Sequence, residues 1–108
     1  MNWRVVFRPE VEQDVTEAAD WYDSKQEDLG RRFREEVIQV FDALAVNPLL
    51  GCRRHPRKNI RWRYPERFPY RVIYEVLENE KTVVVAAVLR AARHDQHWQK
   101  RVSVFRNL

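Results

Sequence analysis

The chain has 108 residues, with 20 Lys and Arg against 16 Asp and Glu, for a formal net charge of +4. That length fits one domain of about 100–150 residues, and a 44% hydrophobic content supplies a core. Two Gly and five Pro exclude collagen-like and low-complexity chains, while four Trp, four Tyr and five Phe exclude disorder.

No apolar run approaches the roughly 20 residues that span a bilayer, so no membrane partner is expected. Met1-Asn2-Trp3-Arg4 lacks the apolar stretch of a secretory signal. The lone Cys52 has no internal disulfide partner, which suits a reducing cytoplasm. Resolved along the chain, the charge divides. Residues 1–50 hold 11 acids and 6 bases, net −5; residues 51–108 hold 5 acids and 14 bases, net +9. The basic half suits an acidic partner, nucleic acid or an acidic protein surface, unless acidic helices simply pack against a basic sheet.

Trp3 to Phe7 is short, β-branched and aromatic, and Pro9 stops it, so it reads as a first strand. Pro9 suits the first turn of a helix over about 9–24, where Glu10, Glu12 and Asp14 complement the dipole. Val11, Val15, Ala18 and Tyr22 form its apolar stripe. Ser24 followed by Glu27 matches a capping box for a second helix. Its apolar face is Leu29, Phe33, Val37, Val40, Phe41 and Leu44, and Asn47-Pro48 ends it. Residues 49–60 read as a basic loop. Strands follow at Ile60 to Tyr64, Tyr70 to Val76 and Thr82 to Leu89, the last two joined by a hairpin turn at 78–81. Asp95 caps a short terminal helix through Arg101. The order β-α-α-β-β-β predicts an α+β fold, a helical hairpin on a small antiparallel sheet with a short C-terminal helix, in a single domain over 1–108.

Few features carry chemistry. Cys52 with His55, and His94 with His97, offer four possible zinc ligands, but their spacing fits structural zinc modules poorly, so neither a metal nor a cofactor is assigned. The chain has no G-x-S-x-G elbow and no glycine-rich phosphate loop. A basic, aromatic set remains: Arg61, Trp62, Arg63, Tyr64, Arg67, Phe68 and Tyr70 interleave cations with rings. Such a set holds phosphates and stacks bases, or holds an acidic protein. Alternatively, Trp62 and Tyr64 sit in the core while Arg61 and Arg63 occupy the opposite face. Alternation puts Arg71 beside Ile73 and Glu75, partly buried and paired with Glu75 or a helix carboxylate, or else gripping a phosphate. Arg90, Arg93, His94 and His97 cluster before Trp98, where a histidine offers acid/base chemistry.

Arg67-Phe68-Pro69-Tyr70-Arg71-Val72-Ile73-Tyr74-Glu75-Val76 resembles the third-strand signature of the RelE/ParE superfamily of toxins from type II toxin–antitoxin modules. Ala18-Ala19-Asp20-Trp21-Tyr22, Asn47-Pro48 with Gly51, and Val84 to Leu89 followed by Arg93, Asp95 and Trp98 resemble further segments, over about residues 3–101. The resemblance implies two chemistries. RelE-type members cleave mRNA in the ribosomal A site without metal; ParE-type members act on DNA gyrase by binding and serve plasmid stabilisation. Arg71 matches the position with which the ribonuclease branch holds the scissile phosphate. The strand lysines of that branch fall at Trp62 and Tyr64, its later arginine near Ala92 with Arg93 adjacent, and its tail tyrosine near Trp98. Arg90 stands where many ParE members have histidine.

The leading expectation is therefore a cytoplasmic ParE-like gyrase-binding toxin, without a catalytic set of its own, joined in a hetero-oligomer by an acidic, ParD-like antitoxin. Arg61, Trp62, Arg63, Tyr64, Arg67, Arg71, Arg90, Arg93 and Trp98 are its expected contact residues. The rivals are a ribosome-dependent ribonuclease using Arg71, Arg93 and His94, and a module that binds antitoxin but poisons nothing.

Overall fold

The computed structural model describes residues 3–91. Strand β1 (Arg4–Phe7) stops directly before the Arg8-Pro9 pair, and helix α1 (Glu10–Lys25) starts directly after Pro9. Proline suits that position because its fixed φ is helical and its absent N–H is not needed there. Helix α2 (Leu29–Val46) runs back alongside.

The turn between the helices departs from the capping-box expectation. Ser24 stays inside α1, and its hydroxyl donates to the Trp21 carbonyl at 2.6 Å. Asp28 precedes α2 instead, with φ 71° and no side-chain cap. Its carboxylate is taken by Arg31, which donates from Nε at 2.8 Å and from Nη2 at 2.6 Å. The first-turn amide of Gly30 donates across the hairpin to Asp23 Oδ1 at 2.7 Å. A helix start needs an acceptor for its free N–H groups, and here the neighbouring helix supplies one.

Gly30 also lies in close contact with α1. A Cβ there would fall on the Ala19 carbonyl oxygen and the Asp23 carboxylate.

The sheet contains β2 (Arg53–Arg54), β3 (Arg61–Arg63), β4 (Tyr70–Leu77) and β5 (Thr82–Arg90), in the order β1-β5-β4-β3-β2. It is mixed rather than wholly antiparallel, because β1 pairs parallel with β5, Arg4 against Thr82 through Phe7 against Val85. A parallel pair needs a long crossover, and the helical hairpin provides it. Strand β2 lies inside the segment read as a loop; two residues are too short to show an alternating pattern. The terminal helix expected from Asp95 to Arg101 lies outside the described residues.

Alternation along β4 gives the sheet two different faces. Val72, Tyr74 and Val76, with Val83, Val85 and Val88 of β5, pack under Val11, Ala18, Phe33, Val37 and Leu44 of the helices. Tyr22, Phe33, Phe68 and Tyr70 close one end as a ring cluster, with Tyr22–Phe68 centroids 4.8 Å apart. The back face carries Ile60, Ile73, Ala86 and Ala87 beside Trp62 and Leu89. A bulge shifts the register between Ile73–Ala87 and Tyr74–Val85, leaving Ala86 as the extra residue. From Val83 to Val88 every β5 residue is at most 2% exposed, as its uninterrupted apolar run requires.

Gly30→Ala is expected to destabilise the fold by about 1–3 kcal/mol through overpacking against α1. Chemical denaturation checks this as a lower midpoint at unchanged slope.

Candidate binding surfaces

The cations and rings that interleave in sequence are separated by the sheet. Arg61 pairs with Tyr74, Trp62 with Ile73 and Arg63 with Val72, so Trp62 turns to the back face while Arg61 and Arg63 face the helix side. The division expected between these residues is thus present for Trp62, whereas Tyr64, just beyond the strand, is 45% exposed. Arg67 lies against α2: its backbone N–H donates to Glu36 Oε1 at 2.8 Å and its Nε is 3.9 Å from Oε2.

Beneath Arg61 and Arg63, Tyr74 donates its buried hydroxyl to the Pro48 carbonyl at 2.7 Å. Burial, followed by the neighbouring Cys52, pushes that hydroxyl well above the ordinary tyrosine range, while Arg63 and Arg61 pull it down. The Cys52 thiol is 3.6 Å from Arg61 Nη1. His55 uses Nδ1 to accept from the backbone N–H groups of Arg57 and Lys58, at 3.0 and 3.1 Å. That nitrogen is therefore committed to shaping the loop. Among the described residues no group of three His, Cys, Asp or Glu is placed to hold a metal.

On the back face Arg71 is half-buried, as its place beside Ile73 requires. Its Nη2 donates to the Ala91 carbonyl at 2.8 Å, and its guanidinium lies 5.5 Å from the Trp62 ring centroid. A helix carboxylate is out of reach, because both helices cover the other face. Glu75, 1% exposed, is a buried acid in the sheet.

A third surface arises where β1 ends. Its pairing reaches only Val85, so among the described residues the β5 edge continues without a strand beside it. Asp14 of α1 fills the ladder position, accepting from the Val88 N–H through Oδ2 at 3.0 Å. Here a groove of about 200 Å³ is lined by Asp14, Glu17, Trp21, Tyr70 and Arg90 among others. Arg90 lies 5.7 Å from the centroid of the 46%-exposed Trp21 ring. Burial raises the nearby Tyr22 hydroxyl, and Arg90 opposes that shift. Asp14 and Trp21 were not read as site residues. The signal that could have found them is the mismatch between a strand cut at Pro9 and the longer strand beside it.

A separate apolar groove of about 430 Å³ runs along the helices, lined by Phe7, Val11, Val15, Val37, Ile38 and Phe41 with charged Arg8, Glu12 and Arg34 at its rim. Of the expected contact residues, Arg61 and Arg63 thus share one edge of the sheet, Trp62 and Arg71 share its back, and Arg90 lies by Trp21. Arg93, His94, His97 and Trp98 lie outside the described residues.

Two outcomes follow from these contacts. Asp14→Ala leaves the Val88 N–H without its acceptor, which costs about 1–3 kcal/mol and speeds hydrogen exchange at that amide. Tyr74 gives the fold an alkaline limit. Its folded pKa is raised, so its contribution is intact below the ordinary tyrosine value of about 10. The contribution is lost as pH climbs from there towards the folded value, because only the unfolded chain releases the proton. Stability measured against pH should fall above about pH 10 less steeply in Tyr74→Phe.

The matching family model is that of the ParE toxin of the type II toxin–antitoxin system, parDE, over residues 5–95. No curated protein matches the chain. Among solved structures, the chromosomal ParDE toxin–antitoxin system of P. aeruginosa superposes with TM-score 0.70 at 14% identity, covering 82% of this chain and 95% of that one. The RelBE2 toxin–antitoxin complex of Mycobacterium tuberculosis gives 0.61 at 20% identity, covering 83% and 99%. The isolated E. coli RelE toxin gives 0.50 at 13%, covering 98% and 99%. With the helical hairpin crossing a mixed five-stranded sheet, and the ParE model spanning most of its length, the chain belongs to the ParE toxin family of type II toxin–antitoxin systems, within the wider RelE/ParE superfamily.

Proposed function

We propose that this toxin acts in the cytoplasm by binding, not bond cleavage, with DNA gyrase as its target and an acidic, ParD-like antitoxin as its neutralising partner. The match of the ParE model to residues 5–95 carries this reading. The surroundings of Arg71 support it. At the position the ribonuclease branch uses to hold a phosphate, this guanidinium donates to the Ala91 carbonyl and lies over Trp62. Trp62 and Tyr64 replace the lysines of that branch, and neither aliphatic cation nor ring hydroxyl is available at Trp62 for proton transfer.

Contact with the target falls to Arg90, presented at the end of β5 beside Trp21, together with Arg71, Arg93 and Trp98. The antitoxin meets the basic, aromatic surface formed by Arg61, Arg63, Tyr64 and Arg67, where an acidic segment gains charge-assisted hydrogen bonds and orders on binding. The apolar groove between Phe7, Ile38 and Phe41 offers the same partner a place for apolar anchors.

The deciding experiment is gyrase supercoiling with the purified chain. Inhibition is expected at stoichiometric protein, weakened by Arg90→Ala and relieved by the antitoxin. Undiminished supercoiling at excess toxin overturns the reading. Codon-associated mRNA cleavage in a translation extract would instead establish the ribonuclease.

A further inference from the structure

The hairpin from β2 to β3 concentrates positive charge more than the fold needs. Residues 51–63 contain Arg53, Arg54, Arg57, Lys58, Arg61 and Arg63 and no acid. Among the described residues, no ion pair involves any of these five arginines. The register makes the crowding specific: Arg54 lies directly opposite Arg61, and Arg63 follows Arg61 on the same face. Like charges placed directly across a strand pair repel. Charged side chains block an exposed sheet edge from further pairing, but that role does not require two arginines opposite each other.

The hairpin tip is also built. His55 Nδ1 accepts from the Arg57 and Lys58 amides, at 3.0 and 3.1 Å. The His55 N–H donates to the Ile60 carbonyl at 2.8 Å, and Asn59 Nδ2 donates to the Val76 carbonyl at 2.7 Å. Arg53, Arg54, Arg57 and Lys58 are exposed on this ordered frame.

We propose that the β2–β3 hairpin is a binding surface for the phosphate backbone of duplex nucleic acid. Arg54 and the half-buried Arg61 are opposite each other across the strand pair, two neighbouring cations that a phosphate at this edge would neutralise. Arg61 and Arg63, two residues apart on one face, repeat at about 6.6 Å along the strand, so the strand presents successive guanidinium groups to a chain of phosphates. A peptide adding itself to this edge is disfavoured, because β2 is two residues long and Pro56 soon removes a donor. Single-stranded recognition needs a row of rings. In this hairpin Trp62 turns to the back face, leaving Tyr64 as its exposed ring. The surface is independent of which enzyme the toxin poisons.

Fluorescence anisotropy of the full chain with a short duplex DNA tests this, read as affinity against salt from about 50 to 200 mM. Wild type should bind with a steep negative slope. Arg54→Gln should lower the magnitude of that slope by about 0.9, the value of one phosphate contact, and Arg54→Gln with Arg57→Gln by about twice as much. Both side chains are exposed, and a thermal melt verifies that each variant is folded. His55→Ala keeps every cation but loosens the tip, so affinity should drop about fivefold while the slope holds. No binding at the lowest salt, or an unchanged slope in the double variant, overturns the proposal. So does tighter binding to single-stranded DNA, or equal binding to polyglutamate, which would make the surface a site for unpaired bases or acidic protein.

Discussion

Much of the surface architecture follows from one backbone constraint, the early end of β1 at Pro9. Strand β1 has four residues and its neighbour β5 has nine. Proline has no N–H to give a ladder and its ring favours a helix start, so the chain leaves the sheet and enters α1. The far half of β5 is then left with backbone groups that need partners, since an unpaired buried amide costs as much as a lost hydrogen bond. Asp14, one turn into the helix that Pro9 starts, meets the Val88 N–H. The same truncation opens the groove in which Arg90 and Trp21 approach each other. One residue thus ends a strand, starts a helix, and uncovers the edge that carries the target contact proposed above.

The second determinant is the pleat of β3 and β4, which sorts neighbouring residues by parity. Trp62 and Arg71 meet behind the sheet, where the guanidinium is held by a ring and by the Ala91 carbonyl. Arg61 and Arg63 come forward over Tyr74, whose hydroxyl is buried against Pro48. A string of alternating cations and rings therefore produces two unlike surfaces rather than one mixed patch. The phosphate surface proposed above belongs to the front edge, where Arg54 lies opposite Arg61. Behind the sheet, Arg71 already gives its Nη2 to the Ala91 carbonyl.

Both helices and the two long strands were legible because each announces itself by period. Val11, Val15, Ala18 and Tyr22 recur at helical spacing, and Tyr70 to Val76 alternates. What escaped was set by contacts between distant residues. Ser24 and Glu27 make a sound local capping box, but Asp23 reaches Gly30 across the hairpin and Arg31 occupies Asp28, so the turn settles elsewhere. The parallel pairing of β1 joins residues nearly the whole described chain apart, and no turn motif can signal it. Arg71 illustrates both sides: its half-buried place beside Ile73 follows from alternation, whereas its partner, a backbone carbonyl at the end of β5, does not. The motif resemblance around Arg67 to Val76 carried the family, because those residues combine the aromatic seal of the core with the pleat that faces Arg71 backward.

The uneven charge of the chain has a structural counterpart in this arrangement. Helix carboxylates are used close to home: Asp23 by Gly30, Asp28 and Glu35 by Arg31, Glu36 by Arg67, and Asp14 by the sheet. These acids serve the hairpin and its contacts with neighbouring elements, so they do not neutralise the arginines of the β2–β3 edge. A simple packing of acidic helices on a basic sheet would have paired the two sets. Instead the sheet's far edge keeps its charge, and such a surface gains from any anionic partner that supplies what the helices withhold. An antitoxin that covers this edge and the neighbouring aromatic surface would therefore shield charge as well as contact residues. In that geometry, antitoxin binding and phosphate binding exclude each other.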